Sequence, residues 1–256
     1  MTETTDRGRH AQPLVDVSLT RKVLHFSIGE IQSCMDLRDP YALDLEYTRT
    51  MMGFLLLLPQ PRDIVMIGLG GGSLAKFCHR HLPAARIEVV EVNPHVIALR
   101  DEFHVPRDDE RFQVIAGDGA HHVRHRAMPC DVLMIDGFDD DGQPDSLCSQ
   151  RFYDDAHDVL RSGGVMVANL HSQHVDHAAH IERIRRSFSG EVLVVDDGEG
   201  SNSVVFACPG PALARMPAGP VRAARGLSRA GTRELTGAFA LVTSAWRDQR
   251  GPAYSR

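Results

Sequence analysis

The chain has 256 residues, 43% of them hydrophobic, enough to bury one full core or one core with a small appendage. A formal net charge of −6 argues against nucleic acid as a partner and sits well with a small cationic substrate. Five scattered cysteines without a C-x-x-C pair, a polar start and no apolar run longer than Phe54–Leu58 exclude a disulfide frame, a zinc site and a membrane span. These features predict a soluble protein of the cytoplasm.

In chain order, residues 1–14 read as a disordered lead. Residues 15–60 form a small N-terminal β element and a linking helix. The strands are Val15–Leu19, which alternates, and Val23–Ile31, which Gly29 interrupts. The helix is Leu43–Leu58, ended by Pro59 and Pro61. Residues 61–208 then alternate strands and helices. The strands are Ile64–Ile67, Arg86–Val90, Phe112–Ala116, Val132–Ile135 and Val165–Asn169. Helical stretches include Pro94–Phe103, Phe152–Leu160 and one around Val175–Ser187. Val192–Val195 and Ser203–Ala207 read as an antiparallel pair at the sheet edge, separated by a turn at Asp196–Gly200.

Residues 209–256 read as a basic tail. From Gly210 onward there are eight Arg, no Lys and two acids, with one helix at Arg233–Trp246. Such a tail could meet an acidic partner, but a partly ordered end with one docked helix is the simpler account.

The alternation predicts an α/β fold with a parallel sheet covered on both faces. Five parallel strands plus an antiparallel hairpin fit a Rossmann-type, seven-stranded sheet of the class I AdoMet-methyltransferase kind better than an NAD dehydrogenase.

The apolar run Ile64–Ile67 breaks into Gly68-Leu69-Gly70-Gly71-Gly72 and resumes as a helix. A strand therefore enters a turn nearly free of Cβ atoms, where backbone can lie against a ligand. Three acids follow strands at the same carboxyl edge. Glu91 ends the second strand, at the place where an acid holds a ribose diol. Asp118, followed by Gly119 and Ala120, is placed to accept from an adenine amine. Asp136 is left facing the reactive end of a nucleoside-bearing molecule.

These pieces carry a family resemblance. Gly68–Gly72, Val89-Val90-Glu91, Gly117-Asp118-Gly119, Met134-Ile135-Asp136, Gly142-Gln143-Pro144 with Leu147 and Phe152-Tyr153, and Ser162-Gly163-Gly164 resemble the spermidine synthase (polyamine aminopropyltransferase) family. The resemblance covers about residues 20–207. It implies transfer of an aminopropyl group to an amine such as putrescine. The co-substrate would be decarboxylated S-adenosylmethionine or S-adenosylmethionine, with no metal. Asp136 would be the base or the anchor of the attacking amine. Gln32, Gly68, Gly70, Gly71, Glu91, Asp118 and Gly119 would bind the donor, and Tyr47 and Asp139 the acceptor. A homodimer through the N-terminal strands is also implied, with neither nucleic acid nor membrane as partner.

Several positions depart from the family pattern. Gly71 stands where an acid usually holds the donor's amine. Thr48 replaces the His or Gln beside the tyrosine, and Asp140 replaces a proline. Gly200-Ser201-Asn202-Ser203 takes the place of a Trp-containing stretch. The GLGGGSL form also resembles spermidine-synthase-like proteins, some of them methyltransferases. An AdoMet-dependent methyltransferase and a non-catalytic nucleoside-binding protein are therefore the alternative functions. The segment Asp136–Asp158, read as a loop, holds eight Asp and one basic residue, which suits a polycation. His171, His174, His177 and His180 recur every third residue, a spacing at which all four cannot share one ligand. His121, His122 and His125 are expected to decorate the helix after Asp118.

Overall fold

The computed structural model describes residues 10–26, 31–138, 142–197, 200–216 and 227–250. The chain opens with an antiparallel sheet of β1 (Leu14–Val17), β2 (Arg21–His25) and β3 (Ile31–Asp36), in that order. Where one strand through residue 31 was expected, the chain turns back after His25, which pairs with Ile31. Gly29 lies outside the described residues. Of the expected lead, residues 1–9 also lie outside them. The segment from His10 onward is held in place, because the Ala11 carbonyl accepts from Asn93 Nδ2 at 2.8 Å.

The expected helix 43–58 divides into α1 (Glu46–Met51) and a 3-10 turn, Met52–Leu56. Gly53 sits at the change. A Cβ there would fall 2.8 Å from Val242 Cγ2 and 2.9 Å from Phe206 Cζ. Glycine's weak helix propensity and the close approach of these neighbours account for the tightened turn.

Seven strands form the main sheet: β4 (Asp63–Ile67), β5 (Arg86–Glu91), β6 (Phe112–Ala116), β7 (Cys130–Ile135), β8 (Leu160–His171), β9 (Val192–Asp196) and β10 (Asn202–Ala207). Their order is β6-β5-β4-β7-β8-β10-β9, with the first five parallel and β10 antiparallel to both its neighbours. Successive residues of a strand point to opposite faces, and both faces are dry. Ile64, Met66, Val132 and Met134 pack on one side, whereas Val65, Ile67, Leu133 and Ile135 pack on the other. β8 begins five residues before the predicted Val165. Its Gly163–Gly164 step lets the chain pass within reach of the Asp131 carbonyl, 2.9 Å from where a Gly164 Cβ would sit.

The helices are α2 (Ser73–His81), α3 (Pro94–Ala98), α4 (Gly119–His125), α5 (Gln150–Asp158), α6 (His177–Ser187) and α7 (Arg229–Arg250). α3 is shorter than the predicted Pro94–Phe103, and α7 extends Arg233–Trp246 at both ends. α7 buries Leu235, Phe239, Val242 and Trp246 in the core, and Trp246 Nε1 donates to the Leu213 carbonyl at 2.8 Å. Glu234 Oε1 accepts from the Leu43 backbone N–H. Among the described residues no helix is long and apolar enough to cross a membrane. All five cysteine thiols are buried and none is in a disulfide.

Candidate active site

β5 lies on one side of β4 and β7 on the other, so the chain reverses its direction of travel across the sheet at β4. Open α/β sheets bind ligands at the carboxyl end of such a switch point. A cavity of about 260 Å³ lies there. Gln32, Tyr47, Gly68, Gly70, Glu91, Asp118, Gly119 and Asp136 all line it. Gly71 does not, and Asp139 lies outside the described residues.

The turn after β4 is fixed by its neighbours. Gly68 has φ +96°, and a Cβ on it would fall 2.2 Å from the Asp136 carbonyl oxygen. Only glycine fits, and the two strand ends are locked together by the Asp136 N–H donating to the Ile67 carbonyl at 2.9 Å. Glu91 is buried, and its carboxylate braces the turn: Oε2 accepts from the Leu69 N–H and Oε1 from the Asn93 N–H, both at 2.8 Å. Burial raises the Glu91 pKa, and these backbone donors oppose the rise.

Asp118 caps α4, with Oδ1 accepting from the His121 N–H at 2.6 Å. Gly119 beside it lets the helix meet β4, since a Cβ would lie 2.3 Å from Ile67 Cγ2.

Asp136 ends β7 between two donors. Tyr47 Oη donates to Oδ2 at 3.2 Å and Asn169 Nδ2 donates to Oδ1 at 2.9 Å. Burial pushes the carboxyl up to about 6, against the pull of these two hydrogen bonds. Burial and the adjacent Asp136 charge push the Tyr47 hydroxyl well above its ordinary value. A half-buried carboxylate with a pKa near neutrality suits proton transfer. Asn169 was named in the sequence only as the last residue of a strand. Its one signal is that it ends the apolar run of β8 at the edge where Glu91 and Asp136 end theirs.

The acids on the amino-terminal halves of the strands are held differently. Arg126 pairs with both Asp63 and Glu88, and Arg161 with Asp131 at 2.9 Å. No Lys or Arg lines the cavity among the described residues. Its carboxylates therefore make a cation-seeking site.

Two expectations change. Asp136–Asp158 is not one loop. Its later part is a 3-10 turn at Asp145–Leu147 and then α5. Asp155 on α5 pairs with Arg124 at 2.9 Å and Asp154 accepts from Ser187 Oγ at 2.7 Å, so both serve packing. The Gly71 vacancy is also filled. A Cβ there would meet Ser33 Oγ at 2.7 Å and Phe103 Cδ1 at 2.8 Å. Ser33 and Ser73 line the cavity with their hydroxyl oxygens 3.4 Å apart.

Several of the histidines contact other residues of the chain. His122 meets Glu88 at 2.7 Å, the His121 and His125 rings stack at 4.1 Å, and those of His174 and His180 at 5.5 Å. Among the described residues no group of three or more potential ligands could hold a metal ion.

The strand order and the switch-point site define the class: a Rossmann-type fold of the AdoMet-methyltransferase kind, with a small N-terminal sheet. The chain belongs to the spermine/spermidine synthase family, whose domain it matches over residues 44–196. It is 38% identical over 200 residues to a polyamine aminopropyltransferase of Chromobacterium violaceum, covering 77% of each chain. The structure of spermidine synthase from Thermotoga maritima shares the fold, with a TM-score of 0.63, 20% identity, and coverage of 91% of this chain and 86% of that one. A eEF1A lysine and N-terminal methyltransferase of Xenopus laevis is 29% identical over 67% of this chain and 27% of its own length.

Proposed function

We propose that the protein transfers an aminopropyl group from decarboxylated AdoMet to a small amine such as putrescine. The observation that carries this reading is Asp136, half-buried at the switch point between Tyr47 and Asn169 in a cavity whose wall, among the described residues, offers carboxylates and no Lys or Arg. An amine arrives protonated and must lose a proton to attack. Asp136 takes that proton, while Tyr47 and Asn169 hold the carboxylate in line. The new bond joins the amine nitrogen to the propyl carbon next to sulfur. The carbon–sulfur bond breaks, and its electron pair returns to sulfur. The donor is already activated by its positive sulfur, so orientation supplies much of the rate. Glu91 holds the ribose, Asp118 and Gly119 the adenine, Gln32 and the Gly68–Gly70 turn the donor arm, and Tyr47 with Asp139 the acceptor.

A donor that keeps its carboxylate would bring an anion into a cavity lined, among the described residues, by no Lys or Arg, which favours the decarboxylated form. Gly71 supports a second reading, AdoMet-dependent methyl transfer, because the turn offers no acid to a terminal amine. Purified protein incubated with putrescine or spermidine and each donor separates the two by product mass. A gain of one aminopropyl unit, abolished by Asp136→Asn, supports the first. Methylation alone overturns it.

The reading includes a cytoplasmic homodimer. Leu14, Val17 and Leu19 lie exposed on and beside the N-terminal hairpin, where a second copy would cover them.

A further inference from the structure

The segment before β1 has no part in the reaction above, yet it reaches the cavity. His10 lines it, and the next residue, Ala11, is tied by its carbonyl to Asn93 Nδ2 at 2.8 Å. Asn93 is itself buried and has three duties. Its backbone N–H donates to Glu91 Oε1 at 2.8 Å, and its Oδ1 accepts from the His95 N–H at 2.9 Å, capping α3. Its amide group holds the N-terminal segment. One side chain thus joins the helix and the strap beside the carboxylate that its own backbone braces.

His10 is also the one basic side chain among the described residues that line the cavity. Its imidazole favours the charged form of Glu91, which burial disfavours. Val92, between Glu91 and Asn93, lines the same end of the cavity and is otherwise exposed.

We propose that His10–Pro13 is a strap across the ribose end of the cavity, pinned by Asn93, and that His10 is a donor-binding residue covering the nucleoside held at Glu91. The inference rests on the nucleoside reading of the cavity. It adds to the site a segment distant in sequence from the strand ends that supply Glu91, Asp118 and Asp136.

The test uses the full chain and two probes, AdoMet and 5′-methylthioadenosine, titrated by calorimetry into wild type, His10→Ala and Asn93→Ser. Serine still caps α3 but cannot reach Ala11. Each variant is expected to raise Kd for both nucleosides by about three- to tenfold, the worth of one ordinary contact. The KM of the amine should stay where it is. In wild type, nucleoside binding should slow exchange of the backbone amides of His10–Gln12, and Asn93→Ser should abolish that protection. Equal Kd values in wild type and both variants, or amides blind to the ligand, overturn the strap. A wild type that binds neither nucleoside overturns the functional reading itself, and the strap with it. Melting temperatures of the two variants within a few degrees of wild type separate lost binding from lost folding.

Discussion

Burial holds the Asp136 carboxyl at about 6, and the hydrogen bonds from Tyr47 and Asn169 keep it from rising further. Activity that needs the carboxylate is therefore lost as pH falls through about 6. Removing a donor to the charged form raises the pKa further. Tyr47→Phe and Asn169→Ala should each move the acid limb of kcat/KM to higher pH, which rate profiles between pH 5 and 9 would show. An acid limb that stays put in both variants removes Asp136 from the proton transfer.

At Gly71 the expectation is steric. An Asp there cannot simply restore an acid to the turn, because its Cβ would collide with Ser33 Oγ and Phe103 Cδ1. Gly71→Asp should destabilise the protein by about 1–3 kcal/mol, as overpacking does. Adding Ser33→Ala should recover part of the loss, a coupling that urea unfolding of the single and double variants measures.

Glu91, Asp118 and Asp136 were legible in the sequence for a shared reason: each interrupts an apolar run at the same edge. Asn169, Ser33 and His10 were not. A lone Asn, Ser or His carries no periodicity. Ser33 and His10 reach the cavity, and Asn169 reaches the Asp136 carboxylate, from another strand or segment, which only the folded chain reveals. Asp139 remains an expectation, since it lies outside the described residues.

At the scale of elements, the central strands were readable because parallel strands buried on both faces are unbroken apolar runs. The boundaries that moved have local causes. Gly53 tightens the helix after α1, and Gly163–Gly164 lets β8 begin at Leu160 where a helix end was expected. α7 is longer than its pattern suggested, and it supplies part of the main core. Trp246 is buried and donates to the Leu213 carbonyl. Trp246→Ala should cost about 3–5 kcal/mol, a large core truncation. The measurement is the urea midpoint, which should fall while the slope is unchanged. A loss under about 1 kcal/mol would mean that α7 is an accessory to the core.

For the molecule as a whole, the N-terminal hairpin carries the most exposed large apolar side chain among the described residues, Leu19. Leu19 is fully exposed and Val17 is 63% exposed, on a sheet whose third strand carries Gln32 and Ser33. Covering by a second copy would stabilise the sheet that brings Gln32 and Ser33 to the cavity. The double substitution Val17→Lys, Leu19→Glu should convert a dimer to a monomer in light scattering after gel filtration. A wild type that is monomeric at micromolar concentration would sink the dimer reading.

The contact between α7 and the segment leading into α1 also sets an order of assembly. Leu43 N–H is held by Glu234, 191 residues later, and Gly53 is packed by Val242. Glu91, Asp118 and Asp136 all come from strands made long before α7. During synthesis the strand ends that carry these three acids therefore leave the ribosome before the helix that packs on α1, the helix of Tyr47. Tyr47 would then be fixed beside Asp136 only after α7 has been made.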